Sequence, residues 1–146
     1  MSYSDNQFKF VAVLNSKIET SRLMNCLGHI TTGLVAKSQN LNDMQFLKYE
    51  FEADWTTPSL ISLYPFIILS AKNNNQLKTL HQAALEAEIL HNVFTDSMLG
   101  ASASEQMQAT KNTKTDELTY FGVALFGAAE QLAALTRKFS LFKSAD

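Results

Sequence analysis

The stretch Thr20–Lys37, TSRLMNCLGHITTGLVAK, has the apolar spacing of a helix that covers a core. At about 100° per residue, one narrow stripe of this helix carries four apolar side chains: Leu23, Leu27, Ile30 and Leu34. A second line, about a quarter-turn away, gathers polar groups over a position without a side chain: Arg22, Asn25, Cys26 and His29, with Gly33. This second line is the candidate functional site.

The segments around this helix alternate between strand and helix patterns. Residues 8–14, FKFVAVL, are aromatic, β-branched and nearly all apolar, which is typical of a strand covered on both faces. Further strands are predicted at 44–51, 65–71 and 118–126, with a short last strand at 139–142 and an extended segment at 92–98. Helices are predicted at 76–90, after the capping residue Ser102, and at 128–137. Turn formers at 38–43 end the first helix, and 52–64 reads as an irregular loop in which Trp55 plugs the margin of the core. The pattern predicts an α/β fold: a mixed, largely parallel sheet of four to five strands with helices on both faces.

Length and composition indicate a single domain, residues 1–146, with its core at about 8–143. The net charge of −2 provides no overall positive field for nucleic acid or an anionic membrane. The polar start 1–7, the lone Cys26 and the lack of an apolar run of about 20 residues favour a soluble protein in the reducing cytoplasm, away from membranes.

We expect neither a metal nor an organic cofactor. The three His and the one Cys lie in separate elements, without the tight spacing of zinc ligands. No Gly-rich phosphate loop or dinucleotide fingerprint is present. His81, on the helix 76–90, is expected to be partly buried and bonded to backbone.

The start of the first helix, at the carboxyl end of strand one, is where an open α/β sheet commonly forms a binding crevice. An enzyme hypothesis assigns roles to three residues: Arg22 holds an oxyanion or phosphate, His29 carries a proton, and Asp96 orients it. The ligand-binding residues would be Asn15, Lys17, Asn25 and Cys26. A sharper version makes Cys26 and His29 a nucleophilic dyad. The structural alternative is that Arg22 and Asp96 simply pair, His29 packs against a strand or a second subunit, and Cys26 is a small buried hydrophobe.

Several segments together resemble a bacterial family known as domain of unknown function 2000, over about 8–143. They are FKFVAVLNSKI, NCLGHITTGL, PFIILSAKNNNQLKTLHQAALEAEIL, FTDSM and LTYFGVALFGAAEQLAALTRKFSLF. Members of that family are similar in fold to type-2 peptidyl-tRNA hydrolases, which implies a mixed sheet flanked by helices.

The hydrolase helix has an Ala-Ala-Gln-x-x-His stretch, which resembles residues 24–29, MNCLGH, and implies a functional role for His29 and, downstream, Asp96. The sequence departs from that pattern at three positions. The hydrolase Lys is Arg22, the Gly before it is Ser21, and the Gln is Cys26. Arg keeps the positive charge but hardly deprotonates, so it does not replace Lys in proton transfer.

Three functions follow. The first is a small-ligand or hydrolase-like pocket acting on an ester or amide. The second is a non-catalytic homodimer that binds a ligand or regulates, with a dimer surface built from 60–64 and from Ala124, Ala128, Ala129, Ala133 and Ala134. The third is a genuine peptidyl-tRNA hydrolase, against which the scattered Lys and Arg residues argue, because a tRNA-binding protein concentrates them on one face.

Overall fold

The structure, a computed structural model, describes residues 7–38 and 44–143. The elements follow in this order: β1 Phe8–Asn15, α1 Thr20–Lys37, β2 Phe46–Tyr49, β3 Ser59–Ser62, β4 Phe66–Ala71, α2 Asn74–Glu86, β5 Leu90–Thr95, α3 Ala103–Asn112, β6 Tyr120–Ala128, α4 Ala129–Leu135 and β7 Ser140–Leu141. Single 3-10 turns follow β5 at Asp96–Met98 and precede β6 at Thr115–Glu117. The predicted turn at 39–43 and the polar start at 1–6 lie outside the described residues.

Five strands form the main sheet in the order β5-β6-β1-β4-β7. Only β1 and β4 run parallel, whereas the β1–β6, β5–β6 and β4–β7 pairs are antiparallel. The sheet is therefore mixed, but the prediction that it is largely parallel was wrong. Burial on both faces indicates that helices cover a strand, but it does not indicate the direction of the strand. Strand β6, for example, is buried along most of its length although both of its neighbours are antiparallel.

Helices cover both faces of the sheet, as predicted. Helix α1 covers one face with Leu23, Cys26, Ile30 and Leu34. Helices α2 and α4 cover the other face with Leu77, Leu80, Ala84 and Leu132. Each fully buried leucine contributes about 1.5–3 kcal/mol relative to an exposed one, so these two layers are the main source of stability. Among the described residues, no helix is both long and apolar enough to cross a bilayer.

The chain from 44 to 64 differs most from the prediction. Strand β2 does not join the main sheet but pairs antiparallel with β3. Strand β3 lies within residues 52–64, which were predicted to form an irregular loop. Trp55 is 70% exposed and does not plug the core. Two antiparallel strands joined by an eight- to ten-residue connection show only a weak local signal, which explains why the hairpin was missed.

Helix α2 is shorter than predicted. It ends at Glu86 rather than at Leu90, because Glu88 adopts a left-handed conformation with φ of 55° and Leu90 begins β5. Ala87, within the predicted helix, is exposed beyond its observed end. Asn73 caps the helix start by accepting a hydrogen bond from the Gln76 N–H at 2.9 Å.

Candidate functional site: a groove between α1 and α3

The polar line of α1 faces an open groove. Arg22, Asn25 and His29 are all exposed, on the flank of the helix beside its buried stripe. Two neighbouring hollows of about 440 and 230 Å³ share Asn25, Phe94 and Leu99 as walls. The larger hollow is completed by His29, Asn92, Met98 and Gln106, and the smaller one by Ser21, Arg22 and Phe121. The polar line of α1 therefore borders these two hollows.

A β-bulge brings an aromatic floor under Arg22. Phe94 pairs with Gly122 and Thr95 pairs with Tyr120, so Phe121 is an extra residue in β6. The bulge directs Phe121 to the α1 side of the sheet, where its ring lies 5.5 Å from that of Phe94. The guanidinium of Arg22 lies 5.0 Å above the Phe121 ring, a cation–π arrangement that holds it at the rim.

Arg22 has no acidic partner within the part of the chain that the structure describes. The ion pair found there joins Lys48 and Glu50, in the hairpin. The N-cap of α1 is Glu19, and its side chain makes no capping hydrogen bond. The first turn of α1 also carries no acidic residue. The guanidinium of Arg22 and the positive end of the helix dipole lie together at this end of the groove, next to Glu19 at the N-cap.

His29 lies two helical turns from Arg22, about 10 Å along the axis at 1.5 Å per residue. Its ring stacks against Phe94, with centroids 6.5 Å apart and planes 29° apart. The two side chains therefore border different ends of the groove and do not meet at one reacting atom.

Asp96 is not brought to either of them. Its carboxylate accepts a hydrogen bond from the Thr119 N–H at 3.1 Å, while its own N–H donates to the Thr119 carbonyl at 2.9 Å. It lines neither hollow and forms no ion pair with Arg22. The predicted trio of Arg22, His29 and Asp96 is thus not assembled, because Asp96 joins β5 to the start of β6.

Asn15 and Lys17, predicted to bind a ligand, belong to the turn between β1 and α1. Asn15 is 3% exposed; its amide donates to the Tyr120 carbonyl at 2.9 Å, and its oxygen accepts from the Lys17 N–H at 3.0 Å. These bonds fix the turn and leave the side chain pointing into the protein. Lys17 is exposed but lines neither hollow.

Cys26 is a core residue and not part of the groove. It is fully buried under α1, and burial raises the pKa of its thiol to about 12. A protonated, inaccessible thiol is a poor nucleophile, so the proposed Cys26–His29 dyad is wrong. Asn25, the neighbouring candidate, does line both hollows.

Gly33 is not an open position either. The Asn92 amide lies against it and donates to the Ile30 carbonyl at 3.1 Å. A methyl group at Gly33 would come within 2.6 Å of that amide nitrogen. The amide of Asn92 in the middle of a strand was the signal that could have revealed this contact.

Helix α3 forms the far wall with little burial, since none of its residues is buried. Ser102 caps it, as predicted, by accepting from the Glu105 N–H at 3.2 Å. The hydroxyl oxygens of Thr110 and Ser97 are 2.9 Å apart, and the Gln106 amide donates to the Gly100 carbonyl at 3.0 Å. These polar contacts present Gln106 to the larger hollow.

A second polar cluster lies on the opposite face of the sheet. His81 Nδ1 is 2.8 Å from the Tyr120 hydroxyl, rather than bonded to backbone, and its ring is 5.1 Å from that of His91. Desolvation, with the nearby charges of His91 and Lys37, lowers the pKa of His81. Within 7–38 and 44–143, no three His, Cys, Asp or Glu side chains gather to hold a metal ion.

A family model described as "Protein of unknown function (DUF2000)" matches residues 8–143. The chain belongs to this family. The DUF2000 chain is also similar in structure to a protein of unknown function from Agrobacterium tumefaciens strain C58, with a TM-score of 0.78 and 19% sequence identity. The match covers 94% of this chain and 99% of that one, and at this identity it concerns the fold alone. No curated protein sequence matches the chain.

Proposed function

We propose that this DUF2000 protein binds a small molecule in the groove between α1 and α3, with an anionic group at Arg22 and an apolar or aromatic body over Phe94 and Leu99. The observation that carries the proposal is the unpaired guanidinium of Arg22, held 5.0 Å above Phe121 at the rim of a hollow. Guanidinium binds carboxylate and phosphate with two parallel hydrogen bonds, and no protein acid occupies that position in the described chain.

The rest of the groove fits the same class of ligand. Its apolar surface comes from Phe94, Phe121, Met98 and Leu99, and its polar groups are few and separate: Asn25, His29, Asn92 and Gln106. The larger hollow, about 440 Å³, is in the range of small-molecule sites, and the smaller one, about 230 Å³, adjoins it at Asn25, Phe94 and Leu99. The mixture favours an amphipathic anion over a bare inorganic ion.

Binding is better supported than hydrolysis. An ester or amide hydrolase would need a nucleophile or an activated water beside Arg22, yet Cys26 is buried with a raised pKa and Asp96 is hydrogen-bonded to Thr119. His29 has an aromatic neighbour at Phe94 and no described acidic partner to orient it. His29 therefore serves as a wall of the ligand site in this proposal.

We also propose a fold relationship, a cellular setting and a restriction on the ligand. A fold like that of type-2 peptidyl-tRNA hydrolases is supported by a strand, turn and helix carrying His29, followed by Asp96 at the end of β5. A cytoplasmic setting is supported by the single thiol, which stays free and buried at Cys26. Arg22 stands where the hydrolases have Lys, and Asp96 lines neither hollow beside Arg22 and His29. Both observations support a ligand other than peptidyl-tRNA.

Thermal unfolding with three probes tests the proposal: phenyl phosphate, inorganic phosphate and neutral benzyl alcohol. At ten times its Kd, phenyl phosphate should stabilise the chain by about 1.4 kcal/mol, or about 3–6 °C in the midpoint, and the other two probes should act less. Arg22→Gln should weaken phenyl phosphate at least about tenfold, the value of one charged hydrogen-bonding group.

Arg137→Gln is the matched control, because Arg137 is an exposed arginine beyond the end of α4 and far along the chain from the groove. The variant makes the same charge change as Arg22→Gln. It should retain wild-type affinity within about twofold, because salt screens an exposed charge that is distant from the ligand. Equal binding by Arg22→Gln and wild type, or equal loss in both variants, would contradict the proposal.

A further inference from the structure

The larger hollow of the groove is lined by two side-chain amides that the protein holds in place, those of Asn92 and Gln106. Asn92 Nδ2 donates a hydrogen bond to the Ile30 carbonyl at 3.1 Å, and Gln106 Nε2 donates to the Gly100 carbonyl at 3.0 Å. A carbonyl oxygen only accepts hydrogen bonds, so the NH₂ group of each amide must face it. The remaining polar atoms of the two amides, Asn92 Oδ1 and Gln106 Oε1, are therefore acceptors.

Packing keeps the Asn92 amide in this orientation. A Cβ at Gly33 would lie 2.6 Å from Asn92 Nδ2, so the amide occupies the space that this glycine leaves. Asn92 belongs to β5, whereas Gly33 and Ile30 belong to α1, and the amide therefore bridges a strand and a helix. Turning the amide over would place its oxygen against the Ile30 carbonyl, which would leave two acceptors without a proton between them. The Asn92 acceptor is consequently fixed before a ligand binds.

Gln106 is fixed at two points by Gly100. A Cβ at Gly100 would lie 3.2 Å from Gln106 Cγ, so the aliphatic part of the glutamine passes close to this glycine. The amide at its end then donates to the carbonyl of the same residue. Ser102 accepts a hydrogen bond from the Glu105 N–H and so fixes the turn of α3 that carries Gln106. The backbone of residues 100–106 thus sets the position of Gln106 Oε1.

Both acceptor oxygens lack a donor. Within 7–38 and 44–143, neither Asn92 Oδ1 nor Gln106 Oε1 accepts a hydrogen bond from the protein. A ligand that covered them with apolar groups would remove their water without replacing its hydrogen bonds, which costs affinity. A ligand that brings O–H groups would replace those bonds. The donor should be uncharged, because no Asp or Glu is found among the described residues that line the two hollows.

We propose that the ligand carries hydroxyl groups at the end remote from its anionic group, and that Asn92 and Gln106 select them. This inference rests on the proposed binding of the anion at Arg22 and names the class of ligand: a hydroxylated organic phosphate or carboxylate. The two amides share their hollow with His29, which lies about 10 Å from Arg22 along α1. The body of the ligand over Phe94 therefore joins two widely separated polar ends.

Two aryl phosphates with equal numbers of heavy atoms test the selection: para-(1,2-dihydroxyethyl)phenyl phosphate, the diol probe, and para-sec-butylphenyl phosphate, the alkyl probe. They differ by hydroxyls in place of methyls, so the ratio of their Kd values, measured by titration calorimetry, isolates that end of the ligand. Wild type should bind the diol probe at least about fivefold more tightly, a low value for a pair of hydrogen bonds exchanged with water. Para-(2-aminoethyl)phenyl phosphate, the amine probe, should bind less tightly than the diol probe, because its ammonium group meets no counter-charge.

Removing the Gln106 acceptor should lower the preference for the diol probe. Gln106→Met keeps the length of the side chain but loses the oxygen, so the preference should fall at least about threefold. Gln82→Met is the matched control, because it makes the same change at an exposed residue of α2, on the other face of the sheet. It should change the preference less than about twofold.

Displacing the Asn92 acceptor gives a second, independent test. Gly33→Ala should lower the preference at least about threefold, because its methyl group displaces the Asn92 amide. Gly28→Ala is the control on the same helix, where a Cβ has no atom within 4 Å, and it should change the preference less than about twofold. Arg22→Gln should weaken both probes by the same factor and leave the preference unchanged, since it acts on the other end of the ligand.

Equal Kd values for the diol and alkyl probes in wild type would overturn this inference and leave the binding of an anion at Arg22 standing. So would tighter binding of the amine probe than of the diol probe, or a preference that survives Gln106→Met or Gly33→Ala. Binding of none of the probes, or binding that Arg22→Gln leaves unchanged, would instead contradict the proposed function, and this inference with it.

Discussion

Gly33 and Gly28 occupy the same helix but have different surroundings. A Cβ at Gly33 would lie 2.6 Å from the Asn92 amide nitrogen, whereas one at Gly28 would have no atom within 4 Å. Alanine raises intrinsic helix stability by about 1 kcal/mol at either position. Gly28→Ala should therefore stabilise the protein, while Gly33→Ala should be less stable than Gly28→Ala by about 1–2 kcal/mol because it displaces the Asn92–Ile30 hydrogen bond.

Urea unfolding of the two variants measures this difference directly. Since both carry the same chemical change on α1, their common helix propensity cancels in the comparison. Equal free energies of unfolding would show that Asn92 does not lie against Gly33.

Cys26 gives a second prediction for a single residue. Burial raises the pKa of its thiol from the ordinary value of 9.0 to about 12, so the thiol is almost entirely protonated at pH 8. Its full burial also excludes reagents. Ellman's reagent should therefore modify the native chain at least about a hundredfold more slowly than the chain in guanidinium chloride. Because the sequence has one cysteine, the signal is unambiguous, and rapid stoichiometric labelling of native protein would place Cys26 at the surface.

The helical period placed Arg22, Asn25, Cys26 and His29 on one line of α1; Arg22, Asn25 and His29 are exposed, but Cys26 is buried in the core. It could not predict their surroundings. Phe121 lies beneath Arg22 because of a bulge between β5 and β6, whose paired residues are about 25 positions apart in sequence. Asp96 does not approach Arg22 because it is hydrogen-bonded to Thr119. Such long-range registers leave no local periodic signal.

Helix α2 places His81 against β5 and β6, where its titration is coupled to stability. Its neighbours there are the Tyr120 hydroxyl at 2.8 Å and the charged or chargeable groups of His91 and Lys37. The folded-state pKa lies below the ordinary value of 6.5, so the unfolded chain binds the proton more readily. The contribution of His81 is complete above pH 6.5 and is lost as the pH falls towards the folded-state pKa.

The free energy of unfolding should consequently fall less between pH 7 and pH 5 in His81→Gln than in wild type. Subtracting the two pH profiles from urea unfolding removes the contribution of the carboxylates, which both proteins share. A difference of zero, or a steeper fall in the variant, would contradict the lowered pKa of His81.

At the level of elements, the positions of helices and strands could be predicted because apolar periodicity is local. The bounds of Thr20–Lys37 were predicted correctly, and the Ser102 cap and the short β7 region were also found. Strand direction could not be predicted. A buried apolar strand such as β6 has the same pattern whether its neighbours are parallel or antiparallel.

At the scale of the whole molecule, neither the groove nor the exposed hairpin could be predicted from the sequence, for different reasons. The groove walls come from α1, β5, β6 and α3, which only the sheet order β5-β6-β1 brings together. The hairpin is visible only by its exposed apolar side chains, because the same residues would read as core in the sequence.

Chemical-shift mapping of the ¹⁵N-labelled chain during titration with phenyl phosphate tests ligand binding in the groove most directly. The largest saturable changes should occur at Arg22, Asn25, His29, Phe94 and Leu99, and they should be strongly reduced in Arg22→Gln. Changes centred on another surface, such as the region around Arg137, or no saturable change at all, would contradict the account.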